Sequence, residues 1–488
     1  MYNWDTINLH IRKAFESLFK VDRNERLKLL LLSVSFFFII GGYTIIKELK
    51  DSVFLNIVGD DYVPAAKIIS MIVLIPAILF YSFLVDKIRR YHLLYVYSIL
   101  YGILGLIFTY YLGDPVIGIA NTESNPSRIF GWLFYFFVEG FSPFIVSVFW
   151  AFSNSITSPE AAKKNYGFMV SGSKLGGMIT SFFAWKLFSC EKAYSKIIFT
   201  PISKHQILLA SASILLLFIP MLIHLLMKKV PGRFLHGYEA VYRAEKEKIV
   251  ELKEDKEKKQ LSSSGLMGYI LSKLPPGLLM IIQQPYVLGI YGIIFFYELI
   301  NVVLSYQRIL LAKKASQNIS ELNCLLFEQV FMIHFFGFVI SILGTNTLLR
   351  KFGERKCLLL VPTITGIFLF IFSFYKALNI ATVFIVLRTL NYAFGYPLRE
   401  SLYIPTIKDI KFKSKSWIDT FGSKFARGLG SVYNIGAKMT FNTFGISMFI
   451  GLQSLFFSIT IGFWIFTAYM LGKRYDKAIK KNEVIGLN

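Results

Sequence analysis

The feature that most constrains this chain is a series of apolar runs, each long enough to cross a bilayer. They fall near residues 29–46, 66–85, 92–112, 129–152, 166–188 and 206–227, and again near 286–306, 325–347, 357–376, 379–396, 418–440 and 446–471. About 20 mostly apolar residues in a helix match the hydrocarbon thickness. Composition agrees: 55% of residues are hydrophobic and 17% charged, where soluble domains carry roughly 45–50% and about 25%. The 48 Phe and 27 Tyr suit lipid-facing belts. These observations predict an all-α, polytopic membrane protein with twelve spans in two sets of six.

Lys and Arg number 53 against 30 Asp and Glu, a net charge of +23. In a soluble chain this would suggest nucleic-acid binding; in a membrane protein it reflects cations gathered in cytoplasmic loops. The N-terminal segment, the turn Asp86-Lys87-Ile88-Arg89-Arg90, the gap between the two sets, and the 350–356 and 399–415 loops are all basic. Lys313, Lys314 and the lysines of 192–204 are exceptions on the other side. Both termini and the gap are therefore expected in the cytoplasm. The organisation reads as an amphipathic segment over 1–27, spans over 28–227, a charged linker over 228–282, spans over 283–473 and a tail over 474–488. Trp4, Ile7, Ile11, Phe15, Leu18 and Phe19 recur at helical spacing in the first segment, as in a helix lying on a membrane face or against the bundle. No cleavable signal peptide is evident. Cys190, Cys324 and Cys357 are far apart and the six His form no cluster, so neither a metal nor another cofactor is expected.

The two sets share local patterns. A short basic turn leads into an apolar run after span two (FLVDKIRRYHLLYVYSILYGILGLIF) and after span eight (LLRKFGERKCLLLVPTITGIFLFIF). Gly172-Ser173-Lys174 in span five is matched by Gly422-Ser423-Lys424 in span eleven. Six plus six spans with internal similarity resemble a major-facilitator-type transporter, whose site lies near the midplane.

Charges inside spans are costly, about 2.5–3.5 kcal/mol each on insertion scales, so those present need a reason. They are Glu139, Lys174, Glu298, Glu328, Arg388, Lys424 and Arg427, with Lys47 and Lys50 closing the first span. Lys47, Lys50 and Glu328 have a bland reading as side chains snorkelling to the interface. Cations predominate, which points to an anionic substrate: Arg offers a fork for phosphate and Lys a compact charge. Lys50, Lys174, Arg388, Lys424 and Arg427 are the expected phosphate-binding set. Glu139 and Glu298 are the expected coupling or gating groups, or structural counter-charges to Lys174 or Arg427. The stretch Gly167 to Lys174 has the glycine spacing of a phosphate-binding loop. Its last two residues are in the wrong order and it lies within an apolar run, so no ATPase follows.

Tyr43-Thr44-Ile45-Ile46-Lys47-Glu48-Leu49-Lys50-Asp51 and Phe149-Trp150-Ala151-Phe152-Ser153-Asn154-Ser155-Ile156-Thr157 resemble motifs of the nucleotide transporter (ATP:ADP antiporter) family of obligate intracellular bacteria, microsporidia and plastids. Glu160 to Lys164, Arg399 to Pro405, Lys411 to Lys415 and Lys424 to Gly430 are similar to further family segments, in collinear order from about residue 25 to 475. The resemblance implies import of host nucleoside triphosphate, often by exchange for the diphosphate, without hydrolysis; with the internal cations, the expected function is exchange of ATP for ADP by alternating access through a central basic cavity. It also assigns transport roles to Lys50, Glu139, Glu298 and Arg427, the last replacing a Lys. The family's W-K-S-K after the helix-seven glutamate is absent, with Asn301, Val302, Val303 and Leu304 in its place, and Tyr396 stands where the family has Asp. Base specificity and exchange stoichiometry are open on that account. Tyr43, Asn154 and Tyr297 are candidate base contacts.

The expected partners are thus the nucleotide and the bilayer, with no nucleic acid; the oligomeric state is left open, a monomer included. Proton-coupled net import of other nucleoside triphosphates is the alternative, with Glu298 as proton carrier. A carrier of another organic anion would share the fold. A lipid-linked transferase is a rival of another class, but the paired acids or exposed His it needs are not seen.

Overall fold

The computed structural model describes residues 22–157, 159–189, 200–232, 235, 276–340, 346–375, 379–403, 405–407, 410, 414–481 and 483–486. Most of the amphipathic segment 1–27, most of the linker 228–282 and the 411–413 part of the basic loop lie outside them, as do the side chains of Asn154, Tyr396 and Glu160 to Lys164.

Helix follows helix. In the first sequence half these are α1 (Arg23–Ile57), α2 (Val63–Lys87), α3 (Arg90–Leu112), α4 (Ile129–Phe141, continued through Ser142–Val146 and Ser147–Ser155), α5 (Pro159–Ser189) and α6 (Pro201–Leu217 with Ile219–Lys229). In the second half they are α7 (Pro285–Ala315), α8 (Ile319–Ile340), α9 (Asn346–Tyr375, two helical pieces parted at Gly353) and α10 (Ile380–Leu390, Asn391–Gly395 and Tyr396–Leu402). The helical stretch Ser423–Lys480 is two helices, α11 and α12, parted at Gly445, whose φ of 80° is open to glycine at little cost. Among the described residues, eight stretches are long and apolar enough to cross a membrane. The only extended pairing among them is a bridge between Thr406 and Ile485.

Among the described residues, α4 contains a π turn at Ser142–Val146, α10 at Asn391–Gly395, and another leads into α11 at Ile418–Gly422. Pro143 explains the first, since its ring removes a backbone donor. The first two begin three residues after Glu139 and Arg388 respectively, the two charges that the sequence places deep in helices four and ten. Insertions of this kind concentrate at functional sites.

The chain forms two compact units. One comprises Met1–Lys50, Pro76–Asn121 and Phe137–Tyr269; the other Asp51–Ile75, Thr122–Phe136 and Ile270–Asn488. In the first, α5 lies close against α1. A Cβ on Gly172 would come within 2.3 Å of Ser33 Oγ, and one on Gly176 within 2.3 Å of the Phe37 carbonyl oxygen. Small residues allow this approach where lipid supplies no hydrophobic drive. Thr180 adds a hydrogen bond to Gly41 O at 3.1 Å. Lys28, 2% exposed, donates to Ile156 O at 3.3 Å and pairs with Glu25 at 2.7 Å. A cation thus closes the C-terminal end of α4, where the helix dipole favours it.

In the second unit the end of α1, the start of α2 and the start of α4 pack together with the C-terminal helices. Phe54 meets Trp132 edge-on at 5.2 Å and Tyr135 at 4.9 Å. The core of the C-terminal part centres on α7, α9, α10 and α12, with Trp464 buried against Tyr297.

Candidate functional site

Each unit holds a cation–carboxylate pair at positions singled out from the sequence. In the first, Lys50 on α1 is 4% exposed and its Nζ donates to Glu139 Oε1 of α4 at 2.7 Å. This side chain does not snorkel; it is turned into the protein. Glu139 therefore serves Lys50, a pairing that the linear sequence does not indicate. In a buried pair the two partners repay part of each other's desolvation.

In the second unit, Arg427 Nε of α11 lies 3.7 Å from Glu298 Oε2 of α7. Asn301, one helical turn further along α7, donates from its amide to the same oxygen at 3.1 Å. Arg427 also donates through Nε to Ser423 O at 3.4 Å. Asn301, one of the residues standing where the family's basic stretch is absent, thus serves to hold the glutamate in place.

Arg388 lies over two rings, Phe384 at 5.5 Å and Tyr392 at 5.4 Å. Arg308 of α7 lies over the same Phe384 ring at 4.6 Å and is 2% exposed. Two guanidinium groups on one aromatic ring concentrate positive charge between α7 and α10, with cation–π attraction offsetting part of the desolvation. Sequence reasoning missed Arg308 because the apolar run was closed at residue 306, while α7 continues to Ala315. Glu48 and Asp51, 4% and 7% exposed, also go beyond the site residues assigned from the sequence; they flank Lys50 inside the motif that carries the family resemblance.

The remaining candidates are divided between the two units. Lys174 is half-buried on α5 between the two glycines that meet α1, and Lys424 is half-buried one turn before Arg427. Tyr43 stacks on Phe141 at 5.0 Å, with Lys47 over its ring at 6.0 Å. Tyr297 is buried beside a small cavity of about 30 Å³ lined also by Asn391, Arg399 and Trp464. That volume suits a water molecule or two rather than a nucleobase. No group of three or more metal-ligating side chains occurs among the described residues.

Comparison with known proteins gives the family and the fold. The family model described as "TLC ATP/ADP transporter" matches residues 5–117 and 128–390, well over half of the chain. The chain belongs to the TLC ATP/ADP transporter family. Among curated relatives, ADP,ATP carrier protein 1 of Rickettsia typhi is 26% identical over 165 residues, 29% of this chain and 33% of that protein. ADP,ATP carrier protein 3 of Rickettsia bellii is 26% identical over 163 residues, 28% of this chain and 31% of that protein. The chain aligns with about a third of the length of each of these relatives.

Solved structures show the fold. A D-xylose–proton symporter superposes with a TM-score of 0.62 at 13% identity, covering 91% of this chain and 96% of the other. The xylose transporter XylE from E. coli in an inward-open conformation gives 0.54 at 13% identity, covering 91% and 94%. The nucleoside transporter NupG gives 0.51 at 13%, covering 91% and 98%. This TLC family member is thus an all-α, multi-pass membrane protein with a major-facilitator-type fold, and its family is one of transporters rather than enzymes.

Proposed function

We propose that this protein exchanges ATP for ADP across a membrane by alternating access, and that Lys50 and Arg427 are the first cations to meet the phosphates. The observation that carries this reading is the buried Lys50–Glu139 contact at 2.7 Å. A cation so enclosed is costly unless a partner is always present. Glu139 fills that role in the empty carrier; a phosphate oxygen, with equal or greater charge, fills it in the loaded one. Glu298 and Arg427 repeat the arrangement on α7 and α11. Arg388 and Arg308 around Phe384, together with Lys174 and Lys424, supply further positive charge, and Tyr43 and Asn154 contact the base; Tyr297, buried beside a cavity of about 30 Å³, does not.

Obligatory exchange follows from the same electrostatics. A substrate shifts a conformational equilibrium only through unequal affinity for its states. A carrier whose cations are re-clasped by their own glutamates returns slowly when empty and quickly when phosphates occupy them. The termini and the charged linker face the cytoplasm, and the membrane is the inner membrane of an intracellular bacterium.

The test is uptake of labelled ATP into proteoliposomes with and without internal ADP. Uptake that needs internal ADP, and that disappears when Lys50→Gln, Glu139→Gln and Arg427→Gln are combined, supports the reading. Uptake indifferent to internal nucleotide would point instead to proton-coupled net import.

A further inference from the structure

Lys313 and Lys438 fall outside the phosphate-binding set, and Lys313 is one of the cations that break the loop-charge pattern. Both are engaged at the loop joining α1 to α2. Lys313, in the last turn of α7, donates to Asp60 Oδ1 at 2.7 Å. Lys438, on α11, pairs with Asp61. Tyr306 OH, two turns before Lys313, lies 3.5 Å from the Asp60 carbonyl oxygen. Consecutive aspartates on one short turn, Asp60–Tyr62, therefore reach two different helices of the second sequence half. Gly59, with φ of 114°, makes the sharp change of direction that presents them, a conformation in which a side chain would be strained.

These contacts belong to the compact unit in which the α1–α2 end packs with the C-terminal helices. Side-chain exposures of 42% for Lys313, 34% for Asp60, 38% for Lys438 and 63% for Asp61 leave all four groups reachable from solvent. Half-exposed pairs of this kind are weak, each biasing an open–closed equilibrium by a few-fold, so a competing polyanion can break them.

We infer that Asp60–Lys313 and Asp61–Lys438 form a latch holding the α1–α2 end of the carrier closed, and that polyphosphate opens it by taking the two lysines from the two aspartates. The latch rests on the alternating-access reading above and adds a second, outlying phosphate-binding pair to it. Its ligand class is a polyphosphate, the part common to nucleoside di- and triphosphates, and the base has no part in it.

The experiment follows closure directly, without transport. In a full-length protein whose three native cysteines are replaced, Ala312→Cys places a thiol one residue before Lys313, at a position only 4% exposed. Its rate of maleimide labelling in detergent, where both faces are accessible, reports opening. Asp60→Asn with Asp61→Asn is expected to speed labelling about five-fold or more, and tripolyphosphate to do the same to the unaltered latch. Lys313→Gln with Lys438→Gln should label fast and no longer respond to tripolyphosphate, and it carries the test if the aspartate variant does not fold. Unchanged labelling in the variants, or no response of the intact latch to tripolyphosphate, overturns the proposal. If labelling behaves as expected while liposomes take up no nucleotide, the latch stands and the substrate assignment fails; the reverse pattern removes the latch alone.

Discussion

The Nζ of Lys50 lies 2.7 Å from Oε1 of Glu139, and the lysine side chain is almost fully enclosed. This relationship joins α1 to α4 and separates two properties that a single substitution would confuse. Removing one partner of a buried pair costs about 3–5 kcal/mol, whereas replacing both by apolar groups of similar volume is often neutral. Glu139→Gln is thus expected to lower the detergent unfolding midpoint clearly. Lys50→Met with Glu139→Met should recover most of that stability while remaining inactive in ATP/ADP exchange. Thermal unfolding and liposome exchange, run on the same preparations, check both halves.

Arg427 is looser: 35% exposed and 3.7 Å from its glutamate. Its replacement is therefore expected to act on exchange more than on folding. Hydrogen bonds to charged groups contribute about 1.5–3 kcal/mol, so Arg427→Gln should reduce exchange by roughly 10- to 100-fold with a small change in unfolding midpoint. Arg427→Lys, which restores the family's residue and keeps the charge without the fork, should recover most of the activity. Initial rates over a range of ATP concentrations measure this.

Acidification tests the α1–α2 turn. Burial, the largest single influence, pushes the Asp60 carboxyl up; the hydrogen bond and charge of Lys313, aided by the charge of Lys438, together pull it below its ordinary value. A depressed carboxylate contributes stability above its unfolded pKa and loses it as pH falls through the folded one. The facing groups are Lys313, Lys438 and Tyr306. The midpoint difference between the native protein and Asp60→Asn should hold from pH 8 to about 5 and shrink below about 4, near and under the unfolded Asp value. A difference that already vanishes by pH 6 would exclude this pairing as its source.

Gly176 marks a tight contact. A Cβ there would sit 2.3 Å from the Phe37 carbonyl oxygen, so Gly176→Ala must push α5 away from α1. Overpacking of this kind costs typically about 1–3 kcal/mol. Because Lys174 lies on the same turn, exchange should fall along with stability. Gly436→Ala, with nothing within 4 Å, is the control expected to leave both unchanged. Expression level, unfolding midpoint and exchange rate decide it.

The fold was legible because span length and loop charge are properties of local sequence: the apolar runs near 92–112 and 129–152 lie on α3 and α4 almost residue for residue. The charged residues worth naming were legible for the same reason, since a Lys or Glu in an apolar run is conspicuous. Pairing was not legible. Nothing near Lys50 in the sequence says that its carboxylate comes from residue 139 rather than from its neighbours Glu48 or Asp51, because that choice is made by how α1 and α4 cross. Arg308 escaped because apolar periodicity ends before the helix does. The π turns escaped because Pro143 has no counterpart in Asn391–Gly395, so one interruption has a sequence signature and the other none.

Those two interruptions have a mechanical consequence. A π turn carries one residue more than its helix needs, which gives the segment beyond it torsional slack about the helix axis. In α4 and α10 the slack lies just past Glu139 and Arg388, so each of these charges sits on the firm side of a swivel. The far ends of both helices can turn while Glu139 and Arg388 keep their bearing.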